Sequence, residues 1–388
     1  MPNRAVFVEN RLRRIVATGR VAARVIAPVP WFPLRNPVFG SYAAFAATPR
    51  EEERHGILVS HPRYLVVPKI GTDIQPVSYL MSVRREIQKL QSRGFDFDLI
   101  DAHYLFPDGV AATQLAKVLG KPVVVSARGS DLNFIAGLPG PGRQIRRALA
   151  KMNGLIVVST ALGEQATKLG MPSSRIAMLR NGVDTDLFRP VDGCRWRALS
   201  LPAKAILLTV GNLVPLKGHD LIIRALSDLE GVHLQIAGEG PERSRLVALA
   251  EKLGVADRVR FLGVVNHEEL ASVYSAADVL VLASEREGWP NVLLEAMACG
   301  TPVVAAAVGG IPEIVNRPIA GTLFKERSPR AIAAAVQELL VNRHSREDVR
   351  AHACSFSWDD TVNRQIAFYE DVIEEARDLL SYGRIVNG

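Results

Sequence analysis

Two carboxylates, Glu287 and Glu295, stand eight residues apart in the stretch Glu287-Gly288-Trp289-Pro290-Asn291-Val292-Leu293-Leu294-Glu295. The apolar run Val279–Ser284 before it has strand character, Gly288 and Pro290 end that strand, and Pro290 next to Asn291 suits the start of a helix. Glu295 then falls about one turn inside the helix. Free N–H groups and the positive end of the helix dipole at this point favour an anion or a ring of hydroxyls. One carboxylate on a loop and one on a helix can each accept hydrogen bonds from vicinal hydroxyls on separate parts of one ligand, as a ribose and a sugar ring offer. The same residues also serve plainer ends, Glu287 as a helix cap and Glu295 as a solvated face residue.

A second stretch, Val210-Gly211-Asn212-Leu213-Val214-Pro215-Leu216-Lys217-Gly218-His219, follows another strand candidate. Glycine lets the backbone approach a ligand closely, and a lysine neutralises a diphosphate without a metal. At ~4 Å and an effective dielectric near 20, one such charge pair is worth on the order of 4 kcal/mol before desolvation. The alternative for Lys217 is a surface lysine beside a tight turn. Asp184-Thr185-Asp186 and Asp96-Phe97-Asp98 match an Asp-x-Asp pattern that carries a divalent cation elsewhere. Here the first belongs to a turn and the second precedes a strand, so no metal and no cofactor are expected.

These segments need a scaffold that places loops side by side. Short β-branched runs alternate with stretches of helical period, the pattern of parallel sheets wrapped by crossover helices. Strands are expected at Ala23–Val29, Tyr64–Pro68, Leu99–His103, Pro122–Arg128, Gly154–Thr160 and Ile176–Asn181. Six more are expected at Ala205–Gly211, Val232–Gly238, Val259–Gly263, Val279–Ser284, Pro302–Ala307 and Gly321–Phe324. Pro190, Gly193 and Pro202 interrupt both periods between the sets. The fold class is therefore α/β, with two Rossmann-like doubly wound domains facing across a cleft: residues 1–190, residues 191–357, and a last helix over 358–388 that crosses back to the first. Asn266 and Glu269 read as a capping box. Doubly wound sheets bind ligands at the C-terminal ends of their strands, where both stretches above begin.

The 388 residues suit two domains, and three cysteines without a CxxC pair indicate neither a disulfide framework nor a zinc site. Without a signal-peptide pattern or a long uncharged apolar run, the expected location is cytoplasmic. Residues 1–190 hold 26 Lys/Arg against 14 Asp/Glu, and residues 191–388 hold 21 against 26. Such a field attracts an anionic partner. No nucleic acid is expected, because the basic residues lack interleaved aromatics and a reading motif. The arginines from Arg11 to Arg14 and from Arg143 to Arg147 lie on expected helices, either as solvated faces or against an anionic membrane surface. The exposed loop Pro28-Val29-Pro30-Trp31-Phe32-Pro33 either packs as a turn or touches lipid.

Glu287-x7-Glu295, followed by Ala296-Met297-Ala298-Cys299-Gly300-Thr301-Pro302-Val303-Val304 and Gly309-Gly310-Ile311-Pro312-Glu313, resembles the donor-site signature of the retaining glycosyltransferases of family 4 (glycosyl transferases group 1). The resemblance implies the two-domain GT-B fold and a UDP- or GDP-linked sugar donor. It implies that Glu295 holds the ribose hydroxyls, and that Glu287 meets the transferred sugar with backbone amides of Gly288, Trp289 and Asn291. Lys217, in the stretch that Gly211 opens, is the candidate to stabilise the leaving diphosphate, and the resemblance implies that the backbone near Val264 and Val265 receives the base. Ala237-Gly238-Glu239-Gly240-Pro241 and Asn181-Gly182-Val183-Asp184 also fit the pattern.

Three departures bear on transfer. Family members usually carry an arginine where Asn212 stands, and many carry a histidine where Arg128 stands. Arg128 orients or binds charge but does not shuttle protons, which leaves His103 on the neighbouring loop as a substitute or as a structural residue. The chain also opens on a helix with no strand before it, so either the start is placed too late or the first domain lacks its opening strand and part of its site. The expected activity is metal-independent, hexosyltransferase-like transfer to a glycan or lipid-linked acceptor in cell-surface polysaccharide assembly, peripheral to the inner face of the membrane. The alternative is a nucleotide-sugar binder with lost or impaired transfer.

Overall fold

The computed structural model describes residues 6–36, 38, 40–66, 74–200 and 202–386. The chain forms two units, Met1–Leu179 with Asp359–Gly388, and Arg180–Trp358.

In the first unit the described chain begins with the helix Val6–Ala17. Five short strands follow: β1 (Val25–Ile26), β2 (Val29–Pro30), β3 (Glu51–Arg54), β4 (Ile57–Ser60) and β5 (Arg63–Tyr64). β1 runs parallel to β4 and β2 parallel to β5. The bonds Ala27 N–H to Ser60 O, Val29 N–H to Pro62 O and Trp31 N–H to Tyr64 O carry the ladder past the prolines. The expected strand Ala23–Val29 is this interrupted pair, while Val67 and Pro68 of the expected Tyr64–Pro68 lie outside the described residues. β3 pairs antiparallel with β4 through a tight turn in which His55 and Gly56 both have positive φ, 50° and 76°, the conformation that matches strand twist in a two-residue hairpin.

A separate parallel sheet, β6 (Ile100–His103), β7 (Val123–Ser126), β8 (Gly154–Val157) and β9 (Ile176–Met178), runs in chain order. Its central strands β7 and β8 are buried on both faces, which is why they read as unbroken apolar runs. The long helix Trp358–Val386 closes this unit. Tyr369 and Val372 pack against Val124, Ile156 and Leu179, and Val362 and Ile366 pack against Ile15 of the first helix. Arg11 corrects the sequence reading. It shares the inward face with Ile15 four residues on and is buried, donating to the Gln365 side chain and to Leu179 O. Burial lowers its pKa to about 9.

The second unit holds β10 (Ala205–Val210), β11 (Val232–Ala237), β12 (Val259–Gly263), β13 (Val279–Leu282), β14 (Val303–Ala306) and β15 (Gly321–Phe324). All are parallel, in the order β12-β11-β10-β13-β14-β15. The strand order therefore reverses between β10 and β13. In this arrangement the crevice at the strand C-termini on either side of the reversal is where ligands bind. The expected capping box does not form. The helix Leu270–Ala276 starts without a side-chain cap, and Asn266 contributes its carbonyl, which accepts from Glu269 N–H and Leu270 N–H. Among the described residues no helix is long and apolar enough to cross a membrane.

Candidate functional site

The topology of the second unit brings the two sequence stretches together. Lys217 ends the turn after β10, and Glu287 lies in the loop after β13, so the neighbouring strands deliver them to one place. Lys217 Nζ lies 2.6 Å from Glu287 Oε1, both side chains mostly buried. Two close approaches hold the loops. Glu285 N–H donates to Leu216 O at 2.8 Å. Gly218, at φ 67°, sits where a Cβ would come within 2.4 Å of Ala283 O, so only glycine fits both the angle and the space. From the far side Gly309, at φ 55°, lies so near Glu287 O that a Cβ would stand 1.9 Å away.

Gly211 leaves β10 with φ 153° and donates to Ala237 O. Asn212 presents its carbonyl to Nε2 of buried His219 at 3.2 Å, and burial lowers the histidine pKa. The loop backbone is thereby fixed from behind.

Glu295 lies on the helix Asn291–Ala298, whose N-terminal neighbour Pro290 is extended, φ −78° and ψ 99°. The Tyr274 hydroxyl donates to Glu295 Oε2 at 2.8 Å. Burial raises the Glu295 carboxyl from 4.5 to about 7, the hydroxyl contact opposing it. Sequence reasoning missed Tyr274, because a tyrosine in the apolar stripe of a helix looks like core. Among the described residues nothing accepts the N–H groups of Gly288, Trp289, Asn291 and Val292. These donors crown the helix that carries Glu295, the arrangement that favours an anion.

The Trp289 and Asn291 side chains work differently from their backbones. The Trp289 indole is buried, donates to Asn181 O at 3.1 Å and packs on Phe356. Asn291 Oδ1 accepts from Asn181 Nδ2 at 3.1 Å. Arg180 binds Glu313 and lies over the Trp289 ring. The Asn181-Gly182-Val183-Asp184 stretch is thus a strut under the Glu287 loop, a role its sequence pattern signals only as a match without a contact. Val264 follows β12 largely exposed, and Val265 is half-buried beside it.

The Asp-x-Asp matches are otherwise engaged. Asp184 Oδ1 accepts from Asp186 N–H and Leu187 N–H, Asp96 pairs with Lys121, and Asp98 pairs with Arg377. Among the described residues no group of His, Cys, Asp and Glu side chains is arranged to hold a metal.

In the first unit, His103 ends β6 and Arg128 follows β7, adjacent strands again. Arg128 Nη2 lies 2.8 Å from His103 Nδ1. A guanidinium only donates, so Nδ1 accepts and the ring proton sits on Nε2, which faces Asp101 Oδ2 at 3.4 Å. Asp101 also accepts from the Tyr369 hydroxyl at 2.7 Å. Asp131 accepts the backbone N–H groups of Leu105, Arg128, Gly129 and Leu132 and so ties the two loops together. His103 and Arg128 are thus joined as expected for neighbouring loops, but both histidine nitrogens are engaged within the unit.

A β12-β11-β10-β13-β14-β15 sheet with a cation, a carboxylate and a helix N-terminus at its reversal defines a Rossmann-like unit. Beside the parallel sheet of the first unit it gives the GT-B class of fold. A model of the glycosyl transferases group 1 matches residues 195–355, and a model of glycosyltransferase family 4 matches residues 38–187. The chain belongs to the family 4 glycosyltransferases.

Among curated relatives it is similar to the D-inositol 3-phosphate glycosyltransferase of Mycobacterium tuberculosis, 40% identical over 220 residues that cover 53% of this chain and 46% of the relative. The chain thus spans about half the length of such relatives. Two solved structures share the fold. Sucrose-phosphate synthase from Thermosynechococcus elongatus has a TM-score of 0.80 at 22% identity, covering 95% of this chain and 93% of that one. Anabaena HepE in complex with UDP has a TM-score of 0.72 at 21% identity, covering 92% and 94%.

Proposed function

We propose that this chain transfers a sugar from a nucleoside-diphosphate donor, UDP-linked in preference to GDP-linked, to a hydroxyl of a glycan or lipid-linked acceptor, with retention of anomeric configuration. The observation that carries the reading is the meeting of Lys217 and Glu287 at the reversal of strand order, in the loop that leads into the helix bearing Glu295. HepE, of like fold, has been solved in complex with UDP and with UDP-glucose.

In this reading the diphosphate takes the place of Glu287 on Lys217 and faces the free N–H groups at the start of the Asn291–Ala298 helix. Glu295 accepts the ribose hydroxyls, and Glu287, released from the lysine, accepts hydroxyls of the sugar. The acceptor oxygen forms a bond to the anomeric carbon as the bond to the diphosphate breaks. The electron pair leaves on the diphosphate, and one of its oxygens takes the acceptor proton. Charge stabilisation by Lys217 and the backbone donors is the protein's main contribution. We place the acceptor in cell-surface polysaccharide assembly and the protein on the cytoplasmic face of an anionic membrane.

The engagement of both His103 nitrogens favours, as a second reading, a chain that binds nucleotide sugar without transferring it. Incubation of the purified chain with UDP- and GDP-sugars and an acceptor panel, followed by NMR of the product, separates them. A product of retained configuration supports the first reading. Donor binding without transfer or donor hydrolysis supports the second, and an inverted product overturns the mechanism.

A further inference from the structure

The two partners of the Tyr274–Glu295 contact stand on different helices, and both helices end against a third. Tyr274 belongs to Leu270–Ala276 and Glu295 to Asn291–Ala298, while the third, Arg346–Cys354, opens on its Ser345 cap. Arg346 and Arg350 lie one turn apart on it and so share a face.

Arg346 reaches the end of the tyrosine helix. Its Nη1 donates to Ser275 O at 2.9 Å and its Nη2 to Ala277 O at 2.7 Å. Arg350 reaches the end of the glutamate helix, where its Nη1 donates to Ala298 O. The same guanidinium donates to Phe188 O at 2.9 Å and to Thr185 O at 3.2 Å. The Phe188 ring in turn packs edge-on against the Tyr274 ring, with centroids 6.0 Å apart. Carbonyls at a helix C-terminus have no partner within the helix and carry the negative end of its dipole, so a forked cation satisfies both needs at once.

The approach is close. A Cβ at Gly300, just past the glutamate helix, would stand 2.9 Å from Arg346 Cβ. Elsewhere along the third helix the buried His352 places Nε2 2.8 Å from Ile314 O. Among the described residues the Glu295 carboxyl accepts from the Tyr274 hydroxyl alone. The two arginines therefore reach it through the tyrosine. The other titratable group beside it is Cys299, whose buried thiol feels both arginines but is pushed up to about 12 and stays neutral.

We propose that Arg346 and Arg350 are positioning residues for the donor site: from one helix face they fix the ends of the two neighbouring helices and so aim the Tyr274 hydroxyl at Glu295. The inference rests on the reading of Glu295 as the group that holds the ribose hydroxyls.

The test follows the Glu295 carboxyl by carbon NMR as pH is varied, in the full chain labelled at its glutamate carboxyl carbons and without nucleotide. Its signal is assigned by its loss in Glu295→Gln. Arg346→Met and Arg350→Met keep the unbranched stem and lose the fork. Each is expected to move the midpoint up by about half a pH unit, a part of the shift that Tyr274→Phe produces in full. In the Tyr274→Phe background neither moves it further, because the hydroxyl they aim is gone. Arg350→Lys, which keeps a donor for Ala298 O without the fork, falls between the wild type and Arg350→Met and serves where the methionine variant does not fold. KM for a UDP-sugar at pH 7 rises about two- to threefold alongside, with kcat little changed. A wild-type midpoint in folded Arg350→Met or Arg350→Lys overturns the proposal. So does a shift of the same size with and without the tyrosine hydroxyl, which would mean that the arginines act on the carboxyl directly. The titration needs no donor, so a failure to bind UDP-sugar would sink the ribose reading and leave this result standing.

Discussion

The Tyr274 hydroxyl donates to Glu295 Oε2 at 2.8 Å from a ring that is itself wholly buried. The carboxyl therefore has one oxygen held by the protein and one left to accept from a ligand. Burial lifts its pKa to about 7 and the tyrosine contact pulls it back. A ligand whose hydroxyls donate to the carboxylate binds the ionised form. Donor affinity is accordingly expected to rise as pH increases from about 6 to about 7 and to level off above. Tyr274→Phe removes the opposing contact, so the inflection moves upward and donor KM rises with kcat little changed. A merely structural tyrosine would lower the amount of active protein and leave the inflection in place.

The same group has a stability consequence of determined sign. The folded pKa of Glu295 lies above its ordinary value of 4.5, so the folded state holds the proton more tightly than the unfolded one. Its contribution is complete below about pH 4.5 and is lost as pH climbs through about 7. Glu295→Gln, which cannot ionise, is expected to flatten the fall in Tm between about pH 4.5 and pH 7, measured calorimetrically, while abolishing donor binding. An unchanged pH slope would sever the shift from this residue.

How much of this was legible in the sequence follows from the environment of each element. The central strands β10, β11, β13 and β14 are covered on both faces, so burial writes itself as runs such as Val279-Leu280-Val281-Leu282, and they were readable, as were the edge strands β12 and β15. β3, a Glu-rich strand paired on one side, carries no such run. Its only sign was the His55-Gly56 turn, which the sequence reading passed over. Lys217, Glu287 and Glu295 were legible as spaced motifs, but their convergence needs the strand order. Arg11 was hidden because Arg11-Leu12-Arg13-Arg14 reads as a charged face, and only its four-residue offset from Ile15 marks the phase that buries it. Tyr274 was hidden for the opposite reason, a polar handle on an apolar stripe.

Lys217 and Glu287 satisfy one another in the absence of donor, and a diphosphate must separate them. Glu287→Gln removes the internal competitor, so UDP is expected to bind up to about fivefold more tightly, the worth of a partly exposed ion pair. Sugar transfer falls in the same variant because the sugar loses its acceptor group. Lys217→Ala weakens UDP roughly 10- to 100-fold, the range for a hydrogen bond to a charged group. Calorimetry with UDP separates the two directions, and full UDP affinity in the lysine variant would remove it from the phosphate site. Asp186→Ala, whose backbone rather than carboxylate serves the Asp184 turn, is expected to do little.

Trp289 tests the strut beneath the loop. Trp289→Phe keeps most of the buried ring but leaves Asn181 O without its indole donor. The expected cost is about 1–3 kcal/mol in urea unfolding of the second unit's transition. Donor KM rises alongside, because the N–H groups of Gly288 and Trp289 lose their fixed direction.

His103 decides how the proton travels. Arg128 donates to Nδ1, so the imidazole is expected to show the Nε2–H tautomer in long-range nitrogen–proton correlation spectra, and Arg128→Met releases it to a mixture. A ring held on both nitrogens has no lone pair to offer an acceptor hydroxyl. If a diphosphate oxygen takes that proton instead, His103→Gln retains transfer within about tenfold, whereas loss of a working general base costs roughly 10²- to 10⁴-fold. A loss in the larger range, with UDP affinity intact and the Nε2–H tautomer confirmed, would mean that substrate binding turns His103 away from Arg128 before the chemistry begins.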